Sequence, residues 1–203
     1  KVHRVIKVFK PDFIFHLAAE AIVTRAYKNP KNTWETNTMG TLNILESLKD
    51  YNKKVTVIMI TSDKVYKNLE TKKGYKEEDI LGNLDPYSAS KASADLVCQS
   101  YFYSQLKYKK NIKLGIARAG NVIGGGDWSD NRIIPDCVKS WSKNKKVNIR
   151  SPHSTRPWQH VLDVLNGYLI FAEKLSSGKY LNGQIFNFGP NKIENKKVID
   201  VVK

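Results

Sequence analysis

A tyrosine and a lysine four residues apart lie one turn apart on the same face of a helix. There the ammonium favours the phenolate and makes the tyrosine a usable base near neutral pH. This spacing occurs three times, at Tyr27/Lys31, Tyr87/Lys91 and Tyr103/Lys107. Pro30 falls inside the first turn, and the third sits in a Tyr- and Lys-rich stretch that an amphipathic surface explains. Tyr87/Lys91 has a different setting. It follows Asp85-Pro86, an N-cap and a first-turn proline, and is flanked by Ser88, Ala89, Ser90, Ala92, Ser93 and Ala94, which let a ligand approach closely. A second group, Thr61-Ser62-Asp63-Lys64, ends an apolar run about 25 residues before Tyr87. It gathers a hydroxyl donor, a carboxylic acid and an amine where open α/β sheets place their ligands, at the carboxyl ends of strands.

The elements that must position these groups follow from hydrophobic patterning. Asp12–Ala19, Val55–Ser62 and Leu114–Ala119 are short, nearly continuous apolar runs, the pattern of parallel strands covered on both faces. Between them, Thr33–Leu48 and Pro86–Leu106 carry helical periodicity. The alternation predicts an α/β fold with a doubly wound parallel sheet. After Asn121 the texture changes: Gly124-Gly125-Gly126, a helix from Pro135 to about Ser142, a short strand at Val147–Arg150, a polar loop to Pro157, a helix over Asp163–Leu175 and a strand at Gln184–Phe188. We expect residues 1–121 to form the doubly wound α/β domain and 122–203 a smaller mixed α/β lobe, with no flexible tether between them.

Composition narrows the classes. The chain has 203 residues, 34 Lys+Arg against 19 Asp+Glu and a formal charge of +15. Such a charge suggests a polyanionic partner. However, 28 of those cations are lysines scattered as exposed pairs, and only six are arginines, which argues against a specific nucleic-acid reader. No apolar run approaches the roughly 18 residues of a membrane span, and the two cysteines, Cys98 and Cys137, fit neither a disulfide framework nor a metal site. The expectation is a soluble cytoplasmic protein without a metal or a membrane partner.

His16-Leu17-Ala18-Ala19, Asn37-Thr38-Met39-Gly40-Thr41, Thr61–Tyr66, Tyr87–Lys91 and Arg118–Val122 resemble the successive signatures of the extended short-chain dehydrogenase/reductases that act on nucleotide sugars. Asn121–Trp128, Arg132–Asp136 and Arg156–Val161 resemble most the branch that dehydrates CDP-sugars. The resemblance implies a Rossmann-type sheet, NAD as a recycled cofactor, a nucleotide-sugar substrate and a homodimer formed through the helices Thr33–Leu48 and Pro86–Leu106. It implies that Tyr87 takes the proton of the sugar 4-hydroxyl, that Ser62 holds that hydroxyl, and that Lys91 lowers the tyrosine pKa and contacts the nicotinamide ribose.

By the same resemblance Asp63 is the acid and Lys64 the base of water elimination across C5 and C6, where dTDP-glucose relatives carry Asp-Glu. Lys64 must then be neutral. Ala18 and Ala19 line the adenosine side of NAD, with Asn37 at the middle of that site, and Glu20 stands where most relatives have Gln. Asn121, Arg132, Arg156 and His160 face the substrate diphosphate or sugar, arginine forks being suited to phosphate oxygens. Arg118, which follows an apolar strand, has a purely structural reading as the partner of a carboxylate. The resemblance also implies that the strand, Gly-rich loop and helix opening the relatives, and a C-terminal tail, are not in these 203 residues. An alternative reading is a nucleotide-sugar 4-epimerase, a dehydratase for a dTDP-, UDP- or GDP-sugar, or an inactive fragment.

Overall fold

The computed structural model describes residues 1–70, 73–178, 180–190 and 196–202. In chain order its elements are α1 (Val2–Phe9), β1 (Phe13–His16), α2 (Val23–Lys28), α3 (Pro30–Trp34), α4 (Gly40–Leu48), β2 (Val55–Ile60), α5 (Pro86–Tyr101), β3 (Ile112–Ala119) and β4 (Val122–Ile123). They continue with α6 (Ile133–Trp141), β5 (Thr155–Arg156), β6 (Gln159–His160), α7 (Val161–Ser177), β7 (Ile185–Phe188), β8 (Lys196–Lys197) and α8 (Val198–Val201). Strands β1, β2, β3 and β7 form one sheet in that order, every pairing parallel.

The continuous apolar runs fold this way because both sheet faces are covered. On one side Ile6, Leu45, Leu48, Cys98 and Phe102 from α1, α4, α5 and the turn after α5 pack on Val57, Met59, Leu114 and Ile116. On the other, Val164, Tyr168, Phe171 and Leu175 of α7 pack on Ile58 and Ala117. Alternate residues of β2 thus enter different cores. Gly115 lets α7 come close, since a Cβ there would lie 2.4 Å from the Phe171 ring.

Residues 161–188, which the sequence places with the second lobe, therefore build part of the main sheet: α7 covers it and β7 pairs with β3. What stands apart is smaller, the parallel pair β4–β6 and the antiparallel pair β5–β8. The expected strand at Val147–Arg150 is not formed. Apolar alternation alone supplies no neighbouring ladder for its backbone groups.

Two predicted helices contain wider turns. A π turn at Glu35–Met39 joins α3 to α4, and another at Phe102–Leu106 continues α5. The first helix also starts earlier than its apolar periodicity suggests, at Pro30, with Asn29 as N-cap accepting from the Asn32 amide at 3.2 Å. Asp85 caps α5 as read, accepting from the Ser88 amide at 3.0 Å, with Pro86 in the first turn. None of the described helices is long and apolar enough to cross a membrane.

Candidate active site

The carboxyl end of β2 runs directly into the polar group. Ser62 is buried and extended, and it caps the 3-10 turn Asp63–Val65, its hydroxyl accepting from the Lys64 amide at 3.2 Å and donating to Asp63 Oδ1 at 3.1 Å. Asp63 and Lys64 form an ion pair at 3.4 Å, both side chains about one-third exposed, and Lys64 Nζ also reaches Asn121 Oδ1 at 3.5 Å. Gly120 leaves room for this pair; a Cβ there would sit 3.4 Å from Asp63 Oδ2 and 2.6 Å from Pro157. The structure thus brings Ser62, Asp63, Lys64 and Asn121 together.

Helix α5 lies beside this strand end. Tyr87 and Lys91 are both buried on it, and Lys91 Nζ donates to the carbonyl of Ile60, the last residue of β2, at 2.9 Å. Burial lowers the Lys91 pKa to about 8, opposed by its helix neighbours Cys98 and Asp95. Its ammonium spends one of three donors on Ile60 and keeps two for a ligand. Tyr168 of α7 is raised to about 12 by burial and by its neighbour Tyr87.

His16, the last residue of β1, is buried opposite Lys91, and burial together with that positive charge holds its pKa down at about 4. It is neutral at physiological pH. The folded-state value lies below the unfolded 6.5, so this group's contribution to stability is complete above pH 6.5 and is lost as pH falls towards 4. The expected loss is about 3 kcal/mol. Denaturant titrations of the wild type and His16→Gln across that window should show the variant losing less.

Asn37, read from the sequence as a cofactor contact, has its side chain committed within the protein. Its Oδ1 accepts from the Glu20 amide at 2.9 Å, and its Nδ2 donates to the Glu20 carbonyl at 3.1 Å and to Ser90 Oγ at 2.9 Å. Buried in the π turn, it ties the loop after β1 to α5 between Tyr87 and Lys91. The Glu20 carboxylate folds back on the Ile22 amide at 3.0 Å. Ala18 and Ala19 lie in this loop, just after the end of β1.

The anion-binding candidates are more dispersed. Arg132 precedes α6 and forms an ion pair with Asp127 at 3.5 Å; that carboxyl is held below its usual value chiefly by hydrogen bonds from Ser129. Arg156 lies on β5 and donates to the Thr155 carbonyl at 2.8 Å. His160 ends β6 and caps α7, its Nδ1 accepting from the Leu162 amide at 3.2 Å. Pairing of β4 with β6 sets His160 beside Ile123, next to the Asn121 strand end.

Sequence reasoning gave Arg118 a carboxylate partner without identifying it; the structure identifies it as Asp95, in a buried polar group beneath the site. Arg118 is 1% exposed and Asp95 0%, joined by two hydrogen bonds of 2.8 Å. Burial opposes the Arg118 charge, but the Asp95 hydrogen bonds and charge outweigh it and raise the pKa further. The available signal was Asp95 itself, a carboxylate one turn after Lys91 on a helix face otherwise made of small and apolar residues.

The family model described as the NAD dependent epimerase/dehydratase family matches residues 1–189. The chain is 43% identical over its whole length to a CDP-glucose 4,6-dehydratase of Salmonella typhimurium, covering 57% of that protein. It is 31% identical over 95% of its length to a dTDP-D-glucose 4,6-dehydratase of Dictyostelium discoideum, covering 45% of it. The chain therefore spans about half the length of these relatives. Among solved structures, a dTDP-glucose 4,6-dehydratase of Bacillus anthracis in complex with NAD superimposes with a TM-score of 0.80 at 28% identity, over 99% of this chain and 58% of that one. A Streptomyces venezuelae dTDP-glucose 4,6-dehydratase double mutant, also with NAD bound, gives 0.82 at 25% identity, over 99% and 57%.

Proposed function

Because this chain belongs to the NAD dependent epimerase/dehydratase family, we propose that its site dehydrates CDP-glucose to the 4-keto-6-deoxy sugar nucleotide. The observation that carries this reading is the Asp63/Lys64 pair, 3.4 Å apart beside Ser62 at the strand end that α5 covers. Elimination needs an acid and a base at one place, and 4-epimerisation does not. The 43% identity to a CDP-glucose 4,6-dehydratase supports cytidine over other bases.

NAD fits the residues present: Lys91 has two ammonium donors left for a ribose diol, and Ala18, Ala19, Ser88 and Ala89 are small. NAD held there would supply the hydride acceptor for sugar C4 and the hydride donor for C6. Tyr87 takes the C4 hydroxyl proton, Ser62 holds that oxygen, and the Lys91 charge favours the phenolate.

The C4 ketone acidifies the C5 hydrogen. One proton passed from Lys64 Nζ to Asp63 along their contact turns the ion pair into a neutral amine and a carboxylic acid. Lys64 then takes the C5 proton, its C–H electrons form the C5–C6 double bond, and the C6 hydroxyl leaves as water with the Asp63 proton. Lys64 returns a proton to C5 as hydride reaches C6, and the proton gained by Tyr87 replaces the one Asp63 spent.

Asn121, Arg132, Arg156 and His160 are proposed as the substrate-facing set. We further propose a cytoplasmic homodimer supplying polysaccharide biosynthesis. Exposed Trp34 on α3, Met39 in the π turn that follows it and Leu96 on α5 support the dimer, and both described cysteines being free thiols supports a reducing compartment. Sedimentation of the wild type and Leu96→Asp should show a dimer and a monomer.

The activity is tested by incubating the intact protein and NAD with CDP-, dTDP- and UDP-glucose and scanning for the alkaline absorbance of a 4-keto sugar. CDP-glucose should give it fastest. Absorbance from another nucleotide alone would overturn the base assignment, and epimer without keto sugar would overturn dehydration.

A further inference from the structure

A buried ion pair is a poor device for stability alone, since an apolar pair of the same volume is often as good or better. The connections of Arg118 and Asp95 point to another role. The Asp95 carboxylate accepts four hydrogen bonds: two at 2.8 Å from Arg118, one at 3.0 Å from Thr61 Oγ1 and one at 2.8 Å from Gln99. Thr61 immediately precedes Ser62-Asp63-Lys64, while Asp95 stands one turn beyond Lys91 on α5.

The strand end and the helix are therefore joined at two consecutive levels, Lys91 to Ile60 and Asp95 to Thr61. Arg118, three residues before Asn121 on the adjoining strand, extends the joint through Nη1 to Tyr66 Oη and the Glu77 carbonyl, both at 2.8 Å. Tyr66 donates to Asn187 Oδ1 at 2.7 Å, and Glu77 accepts from the Asn187 amide at 2.7 Å, which ties in β7. Every element that carries a proposed catalytic group meets this cluster.

We propose that the Arg118–Asp95 pair is a positioning element that sets the Tyr87/Lys91 helix against the Ser62-Asp63-Lys64 strand end and supplies the negative charge that keeps Lys91 protonated. This rests on the dehydratase reading above. The groups facing Lys91 are His16 from β1, the Ile60 carbonyl from β2, and Tyr87, Asp95 and Cys98 on its own helix, with Arg118 behind Asp95. Burial holds the His16 and Cys98 side chains neutral, so Asp95 is the anion among them. Lys91 loses its proton near pH 8, and removal of the Asp95 charge can only bring that loss to lower pH.

The test measures reduction of bound nicotinamide in a single turnover, and steady-state kcat and KM against pH, for the wild type, Asp95→Asn, Asp95→Glu and Thr61→Val. Asp95→Asn should lower kcat on the order of 10²-fold with KM for CDP-glucose little changed, because misplacement by about 1 Å has that cost. Its alkaline limb should move to lower pH, whereas Asp95→Glu, which keeps the charge, should leave the limb near the wild-type position. Thr61→Val, isosteric and uncharged, should fold and lower kcat on the order of tenfold with KM unchanged, by loosening the same joint.

A folded, NAD-loaded Asp95→Asn with wild-type kcat and limb overturns the proposal. So does equal loss in the Asn and Glu variants without a shift of the limb, which is what a purely structural pair would give. If Asp95→Asn does not fold, unchanged kcat in Thr61→Val overturns it. A wild type that never reduces its nicotinamide with any nucleotide sugar overturns the functional reading beneath it, a result distinct from all of these.

Discussion

Replacing Lys64 by Ala is expected to leave the oxidation of C4 intact and to cut formation of the keto-deoxy product by about 10²- to 10⁴-fold, the contribution of one well-placed proton-transfer group. The separation follows from the geometry. Tyr87, Lys91 and Ser62, which the proposed mechanism assigns to the first step, are held by α5 and by the backbone of β2, and none of them uses the Lys64 side chain as a support. Lys64 contacts Asp63 and Asn121 through its ammonium only, and it is partly exposed, so truncation removes the base without opening a core cavity. Nicotinamide reduction in a single turnover and keto-sugar absorbance in the steady state read the two steps independently. Parallel loss of both signals would show that Lys64 is not specific to elimination.

The second large effect is expected at Lys91, where activity and stability should move in opposite directions. Its ionisation falls from 10.5 to about 8 because the group is buried, which corresponds to about 3 kcal/mol of strain in the charged form. Lys91→Met removes that cost and also the hydrogen bond to Ile60, which contributes about 1–2 kcal/mol. A net gain of about 1–2 kcal/mol at pH 7 remains, alongside a loss of kcat on the order of 10³-fold.

The sign with pH is defined. The folded lysine binds fewer protons than the unfolded one between pH 8 and 10.5, so wild-type stability rises through that window and the advantage of the variant shrinks. Chemical denaturation at pH 7 and pH 10 checks this, and a variant less stable than the wild type at pH 7 would contradict it.

The parts of the molecule that hydrophobic patterning encodes were legible. Continuous apolar runs located the strands containing Val55–Ile60 and Phe13–His16, and Asp85-Pro86 located the start of α5, because burial on two faces and a missing amide leave direct marks in composition. Pairing leaves none. Val147–Arg150 has strand-like residues and no ladder, whereas Ile185–Phe188, in the half that looked like a separate lobe, pairs with β3.

The site shows the same division. Tyr87, Lys91, Ser62, Asp63 and Lys64 are neighbours within two short segments and could be read as groups. The polar contacts that hold those segments together join residues far apart, 23 positions from Asp95 to Arg118 and 121 from Tyr66 to Asn187, and no local spacing announces them. Asn37 illustrates the cost: its type suits a cofactor contact, and only the fold shows its amide bound to Glu20 and Ser90.

The central claim is that hydride leaves C4 and returns at C6 while Lys64 and Asp63 remove water between them. Turnover of CDP-glucose carrying deuterium at C4 tests it directly, with the label located in the product by NMR. The site described above predicts deuterium at C6 of a 4-keto-6-deoxy sugar. Deuterium retained at C4, or released to solvent, would contradict it.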